Sequence, residues 1–101
     1  MNEVNVLIHF LEKVTADPRV GPSHICMFVA LIKLSHEQGN SQLINVFRTE
    51  LMCLSKLTGP TTYYKVIREL EHFGYISYTP SYNHFLGSMV QILLPKKQNQ
   101  I

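Results

Sequence analysis

The stretch from Arg48 to Leu93, RTELMCLSKLTGPTTYYKVIRELEHFGYISYTPSYNHFLGSMVQIL, decides the fold. It contains a short amphipathic segment, a Thr-Gly-Pro turn and a longer amphipathic segment that ends at a glycine. Apolar residues in both segments recur at spacings of three and four, which predicts two helices. A polar loop then joins two runs, 75–79 and 89–93, whose apolar and β-branched residues are typical of strands. The stretch therefore predicts a helix, a turn, a second helix and a β-hairpin, in that order.

The ends of the two helices are indicated by particular residues. Thr49 is expected to cap the first helix, because its hydroxyl can accept a hydrogen bond from the first turn. Gly59 is expected to supply the unusual backbone conformation that the turn needs, and Pro60 suits the first position of the next helix, where no N–H is needed. This helix is predicted over 60–73, and Gly74 is expected to end it in the left-handed conformation.

Before this stretch, the sequence predicts two more helices and one strand. The first helix is expected at about 3–16, and it ends at Asp17-Pro18 because proline pushes the residue before it out of the helical region. Gly21-Pro22-Ser23 is expected to provide the N-cap of a second helix that runs to about Gln38. Its buried stripe is predicted to consist of Ile25, Phe28, Val29 and Ile32, with Met27, Leu31 and Leu34 on its flanks. Residues 43–47 are β-branched and aromatic, which predicts one short strand.

These elements predict a mainly α protein with a small β-hairpin, an α+β fold. A helix-turn-helix followed by a hairpin is the arrangement of the winged helix-turn-helix, here with three to four helices and a C-terminal wing. Residues 1–95 are expected to form one domain with the extra helix at its N-terminus, and residues 96–101 a frayed tail. The chain has 101 residues, of which 46% are apolar and 16% charged, and this composition suits one globular domain.

The sequence also indicates the cellular compartment. No apolar run approaches the length of a membrane span, and the N-terminus lacks the basic and apolar pattern of a signal peptide. Cys26 and Cys53 lie in apolar helical segments, and we expect buried thiols rather than a disulfide or a metal pair. The sequence therefore predicts a cytoplasmic protein that does not associate with a membrane.

No catalytic, cofactor or metal site is expected. The five histidines are scattered, and no acidic or thiol cluster could complete a metal shell around any of them. No nucleophile motif, phosphate-binding loop or pair of convergent carboxylates is present. We therefore expect neither an enzyme nor a protein with a small-molecule ligand.

The helix at 60–73 is predicted to have two different faces, because successive residues are separated by 100°. Its inward face is expected to consist of Tyr63, Val66, Ile67 and Leu70. The opposite face and its edge contain the candidate DNA contacts Thr61, Thr62, Tyr64, Lys65 and Arg68. Hydroxyls near a helix N-terminus can contact phosphates, Lys can neutralise a phosphate, and Arg can bind guanine through two hydrogen bonds. The alternative is a merely solvated face, since exposed helices commonly contain such residues.

The loop at 80–88 is expected to be the wing. Tyr82, Asn83 and His84 stand at its tip and are candidates for contact with the DNA backbone or the minor groove. Asn is also common in turns for conformational reasons alone. The net charge of +2 is divided into −1 for residues 1–50 and +3 for residues 51–101, so the basic excess lies in the half that contains these candidates.

Two stretches, 18–34 and 47–92, resemble a group of small bacterial winged-helix transcriptional regulators that are often encoded near mobile elements. The common features are a Thr-Tyr pair that opens the second helix, a Gly-Tyr-Ile after it, and a Pro-Ser-Tyr…Gly-Ser wing. In this chain they are Thr62-Tyr63, Gly74-Tyr75-Ile76, Pro80-Ser81-Tyr82 and Gly87-Ser88, with Ile67 and Leu70 in the core pattern. The turn departs from the group, because Lys56 is its only charged residue. The resemblance implies a sequence-specific double-stranded DNA-binding protein that acts as a transcriptional regulator or a mobile-element accessory factor.

The low net charge leaves a second function open. Glu69 and Glu71 lie on the same helix as the candidate contacts, and they would oppose a phosphate backbone. A winged-helix module that binds a protein partner and no DNA is therefore the alternative.

The N-terminal helix also has two interpretations. It contains more apolar surface than packing on one side requires, formed by Leu7, Ile8, Phe10, Leu11 and Val14. The helix either completes the core of one protomer or forms the contact of a homodimer. Two-fold symmetric operators require dimeric proteins, which favours the homodimer.

Overall fold

The computed structural model describes residues 2–83 and 85–93. In chain order the elements are α1 (Glu3–Thr15), α2 (Pro22–Glu37), β1 (Leu43–Val46), α3 (Arg48–Ser55), α4 (Pro60–His72), β2 (Ile76–Thr79) and β3 (Ser88–Ile92). The predicted α+β class is confirmed: the described residues form four helices and one three-stranded antiparallel sheet with a C-terminal hairpin. The predicted frayed tail at 96–101 lies outside the described residues.

The predicted short strand becomes an edge of the sheet, whose order is β1-β3-β2. Ile44 of β1 and Tyr78 of β2 both lie opposite Val90 of β3, so the last strand is the centre of the sheet. One face of the sheet is directed toward the helices, and its buried residues are Ile44, Val46, Ile76, Val90 and Ile92. The outer strands contact the helices, β1 against α2 and β2 against α4, so the hairpin is fixed beside α4.

The core lies between this face of the sheet and α2, which contacts α1, α3, α4 and β1. Phe10 of α1 is fully buried and its ring stacks on that of Phe28 of α2, with centroids 3.8 Å apart. The ring of Tyr75 meets Phe10 edge-on, with centroids 5.3 Å apart. Because α2 touches most other elements, it holds α4 and the sheet in a fixed relation.

The predicted buried stripe of α2 is wrong in part. Phe28 and Ile32 are buried, but Val29 is 44% exposed and Ile25 is only partly buried. The residues expected at the flanks, Met27, Leu31 and Leu34, are fully or almost fully buried instead. Apolar residues surround most of α2, so spacing alone could not identify the side that its neighbours cover.

The prediction of two buried thiols is also wrong, because Cys26 and Cys53 are both exposed and free. Cys26 lies on the side of α2 that faces away from Leu31, which is fully buried. Cys53 follows Leu51 by two residues, and residues two apart on a helix point in different directions. Leu51 and Ser55 are the buried residues of α3, so Cys53 points outward.

One helix cap differs from the expected one. Thr49 lies inside the first turn of α3, whose N-cap is Phe47 and has no side-chain hydrogen bond. The prediction that Gly21-Pro22-Ser23 provides the N-cap of α2 is confirmed: the cap is Gly21, whose N–H donates to Nδ1 of His24 at 2.9 Å. Among the described residues, no helix is long and apolar enough to cross a membrane.

Candidate nucleic-acid interface

The turn between α3 and α4 directs α4 away from α3. Lys56, directly after α3, has the left-handed conformation with φ 64°. Gly59 is extended, with φ −110° and ψ 138°, and is the N-cap of α4. The expectation that Gly59 supplies the unusual backbone of the turn is therefore wrong. Pro60 holds the residue before it extended, so the left-handed residue comes earlier, at Lys56.

The predicted inward side of α4 is buried, and its members are Tyr63, Val66, Ile67 and Leu70. Four of the predicted contact residues are exposed on the other side, and we call them the basic face of α4: Thr61, Thr62, Lys65 and Arg68. The separation follows from the helical angle of 100° per residue. The exposed side therefore presents two hydroxyls near the helix N-terminus and two cations farther along.

Tyr64 is the predicted contact that does not belong to the basic face. Its side chain is half-buried and packs against the core, with its ring centroid 5.0 Å from that of Tyr63. The guanidinium of Arg68, one turn later, lies 5.8 Å from the centroid of the Tyr64 ring. Tyr64 lies on the side of α4 that meets the hairpin, and the sequence could not predict where the hairpin would pack.

Two grooves separate α4 from the hairpin loop (residues 80–87), and Tyr64 lines both. The first has a volume of about 410 Å³ and is lined by Arg68 and Tyr82 among others. The second has a volume of about 540 Å³, and its lining includes Arg48. The fold thus brings together Arg68 and Tyr82, which were predicted from separate segments. Arg48 was missed, because the sequence does not show that the start of α3 lies beside the hairpin loop.

The two acidic residues of α4 are both directed toward other parts of the protein. The carboxylate of Glu69 accepts a hydrogen bond from Nε2 of His24 at 2.8 Å. The carboxylate of Glu71 accepts a hydrogen bond from the backbone N–H of Tyr78 at 3.1 Å. These bonds hold both carboxylates at the sides of α4, and the basic face stands between them.

Four cations surround this region, namely Arg48, Lys56, Lys65 and Arg68. None of the four forms an ion pair with another residue in 2–83 or 85–93. By contrast, Arg19 pairs with Asp17, and Lys33 pairs with Glu37. An unpaired cation keeps its full charge available for an anionic partner.

The hairpin loop presents three large apolar side chains near its end. Tyr82 is fully exposed, Phe85 is 81% exposed and Leu86 is 64% exposed, and we call these three residues the loop tip. Asn83 is exposed, but its side-chain oxygen accepts a hydrogen bond from the N–H of Phe85 at 3.0 Å. His84 lies outside the described residues. Sequence reasoning missed Phe85 and Leu86, although two large apolar residues before a loop glycine were a usable indication.

In the described ranges, no three His, Cys, Asp or Glu side chains lie close enough together to hold a metal ion. Comparison of the chain with protein-family models, with curated proteins and with solved structures finds no match.

Proposed function

We propose that this chain is a winged helix-turn-helix protein that binds double-stranded DNA with sequence preference. It would act in the cytoplasm as a transcriptional regulator or a mobile-element accessory factor, without a cofactor or catalytic activity. α4 would enter the major groove, and the hairpin would be the wing that reaches the backbone or the minor groove.

The order of the elements supports this proposal. α3, the turn and α4 follow the pattern of two helices joined by a short turn, and the hairpin comes directly after them. The first strand of the domain pairs with the last strand, so the hairpin lies beside the helix pair. In this arrangement the second helix is the one whose outer side is open to a large partner.

The observation on which the proposal depends is the basic face of α4. Lys65 and Arg68 are exposed and without acidic partners among the described residues, while Glu69 and Glu71 bond to the protein itself. Thr61 adds an exposed hydroxyl near the N-terminus of α4, whose cap Gly59 makes no side-chain hydrogen bond. The Thr61 hydroxyl can contact a phosphate at this helix N-terminus, and Lys65 and Arg68 can contact phosphates and base edges.

A module that binds a protein partner is the second candidate, and the loop tip favours it. Large apolar side chains that are exposed together are typical of protein interfaces. Such a module would need neither Lys65 nor Arg68. The two candidates therefore differ in their dependence on charge.

The test is fluorescence anisotropy of a mixed-sequence duplex of about 30 base pairs, titrated with the protein at about 50 and 200 mM salt. We expect binding that weakens at least about tenfold at the higher salt, because phosphate contacts release counterions. No binding at low salt would reject the DNA function and favour the protein-binding module.

Variants of the basic face make the test specific to α4. Lys65→Ala should lower the slope of log affinity against log salt by about one unit. Arg68→Ala should cost about 1–3 kcal/mol for a preferred sequence and relax the base preference. Lys33→Ala is the matched control, because it removes the same charge from α2 and should leave the salt slope unchanged. Wild-type affinity in both α4 variants would show that another surface binds the duplex.

A further inference from the structure

The three side chains of the loop tip are the most exposed large apolar groups in the part of the chain that the structure describes. The exposed fractions are 100% for Tyr82, 81% for Phe85 and 64% for Leu86. Water is an unfavourable neighbour for so much contiguous apolar surface, and such patches commonly mark contact sites. Three large apolar side chains at the end of one loop therefore require an explanation.

The side chains of Ser81 and Asn83 form hydrogen bonds within the loop itself. The Ser81 hydroxyl donates to the carbonyl oxygen of Asn83 at 3.0 Å and accepts from its N–H at 3.1 Å. The N–H of Leu86 donates to the same carbonyl at 3.0 Å, and the Asn83 side chain accepts from Phe85. The polar side chains thus close the turn, and the apolar side chains point outward.

The base of the loop is held against β1. Gly87 has φ +70°, and a Cβ atom there would lie 2.8 Å from the carbonyl oxygen of Val46 and 3.1 Å from the ring of Phe47. The N–H of Ser81 donates to the hydroxyl of Ser88 at 3.2 Å across the base of the loop. The base of the loop is consequently fixed to the sheet, and this base holds the loop tip.

One residue of the loop tip, Tyr82, lies beside the basic face of α4. Tyr82 and Arg68 line one groove, and Arg48 lines the adjacent groove. Phe85 and Leu86 follow Tyr82 in the same loop, so we expect a partner as wide as a duplex that contacts them to reach these unpaired cations as well. Duplex DNA meets both requirements, since it has a phosphate backbone outside and apolar base faces between its steps.

We propose that Phe85 and Leu86 form an apolar wedge that enters the minor groove and partly unstacks one base step. The wedge bends the duplex, so that the DNA follows the surface from α4 to the hairpin. This inference rests on the proposed function, because α4 must hold the duplex beside the loop. The wedge would make binding depend on how easily the DNA deforms, in addition to any recognition of bases by α4.

The experiment compares two hairpin duplexes of identical composition, one with alternating TpA steps and one with uninterrupted A-tracts. TpA steps unstack readily and A-tracts are stiff, so the wild type should bind the alternating duplex about tenfold more tightly. Fluorescence transfer between end labels should increase as the duplex bends by about 20–90°. 2-Aminopurine placed at the TpA steps should brighten, because its fluorescence rises when stacking is lost.

The double variant Phe85→Ser/Leu86→Ser should keep the salt slope of the wild type, because it removes no charge. It should bind both duplexes equally and lose the end-label and 2-aminopurine signals. Leu43→Ser is the matched control, since Leu43 is 52% exposed on the other face of the sheet and should keep the preference. Phe85, Leu86 and Leu43 are all exposed, so we expect both variants to have the circular dichroism spectrum of the wild type. If the double variant unfolds, Leu86→Ala is the milder substitution to test.

The outcomes separate this inference from the proposed function. Binding to both duplexes with equal affinity and no bending would overturn the wedge and leave the DNA function standing. Absence of binding to either duplex would overturn both. Vesicles of neutral and acidic phospholipids test a third outcome. If the wild type binds them, the double variant does not, and the DNA signals of the two proteins are the same, the wedge is overturned in favour of a membrane contact.

Discussion

Asp17 joins the end of α1 to the segment that follows α4. Its carboxylate accepts hydrogen bonds from the Arg19 guanidinium, two at 2.8 Å, and from the Tyr75 hydroxyl at 2.7 Å. The guanidinium of Arg19 also lies 4.4 Å from the ring centroid of Phe73, the C-cap of α4. The Arg19 and Tyr75 hydrogen bonds hold the pKa of the Asp17 carboxyl well below its usual range. Burial, and then the hydrogen bond to Asp17, raises the pKa of Tyr75 to about 12.

We expect Tyr75→Phe to reduce both the stability of the fold at neutral pH and the part of that stability that is lost in acid. A carboxyl whose pKa is depressed on folding stabilises the native state above its unfolded pKa of about 4, and this contribution disappears as pH falls through the folded pKa. The Tyr75 hydroxyl is the second cause of the depression at Asp17, so the variant has less to lose. Urea unfolding at a series of pH values, from about 7 down through the folded pKa of Asp17, measures the effect: the gap between wild type and variant should narrow as pH passes below that pKa. A gap of constant size would contradict this role of the hydroxyl.

At the scale of the elements, His24 connects the N-terminus of α2 to α4. Its Nδ1 accepts from the N–H of Gly21 at 2.9 Å, so Nε2 is the nitrogen that donates to Glu69 at 2.8 Å. His24 is 8% exposed, which makes both hydrogen bonds costly to lose. The same contact caps α2 and holds the Glu69 carboxylate to the side of the basic face.

We expect His24→Ala to lower the free energy of unfolding by about 1–2 kcal/mol, because two hydrogen bonds are lost and one carboxylate oxygen loses its partner. The released carboxylate would then be free to approach Lys65, one turn earlier, and we expect weaker binding to duplex DNA. Urea unfolding and anisotropy measure the two effects. Glu69→Gln is the companion variant, since it keeps an oxygen acceptor for His24 and should retain most of the stability. If His24→Ala unfolds at the same urea concentration as the wild type, the contact does not hold α4 in place.

The outer edge of β1 is covered by side chains. The side-chain amide of Gln38 bonds to both the N–H and the carbonyl of Asn45, at 2.9 and 2.8 Å. The hydroxyl of Ser41 does the same for Leu43, at 3.1 and 2.8 Å. Because an edge strand with occupied groups resists pairing with another chain, the sheet does not offer its β1 edge to a partner. The exposed apolar groups of α1 and the loop tip are then the better places for association.

At the scale of the whole molecule, the two sides of α1 have different surroundings. Phe10 is fully buried against Phe28 and completes the core of the protomer. Val4, Ile8 and Leu11, separated by four and three residues, are 63%, 50% and 42% exposed. The buried side of α1 therefore completes the core, and the exposed side is the one available for a homodimer contact. Three side chains cover much less than the roughly 1,200 Å² of a stable interface, so any homodimer through this stripe should be weak.

We expect the molar mass measured by light scattering to rise above 11.6 kDa as the protein concentration increases. Ile8→Asp should abolish this rise, because it places a charge at the centre of the exposed stripe. Val29→Asp is the control, since Val29 is similarly exposed on α2, and it should dimerise like the wild type. A wild-type mass that stays at the monomer value at every soluble concentration would rule out the homodimer.

Sequence reasoning was most accurate where the answer depends on a few neighbouring residues. The buried side of α4 and its exposed cations followed from the helical angle, and Gly74 has the predicted left-handed conformation with φ +92°. It failed at Tyr64 and Val29, whose burial depends on elements far away in the chain. It also placed Tyr75 in a strand, whereas this residue precedes β2 and is buried against α1.

The sequence by itself determined the kind and order of the elements and the amphipathic character of α4, because periodicity, caps and turn residues act over a few bonds. Only the tertiary structure decided which side of the apolar helix α2 is covered, and that Arg68 and Tyr82 line one groove. It also decided that Glu69 turns toward His24 and that the loop tip stays exposed. These properties depend on packing between segments distant in the chain, and local spacing contains no information about which distant segment arrives on which side.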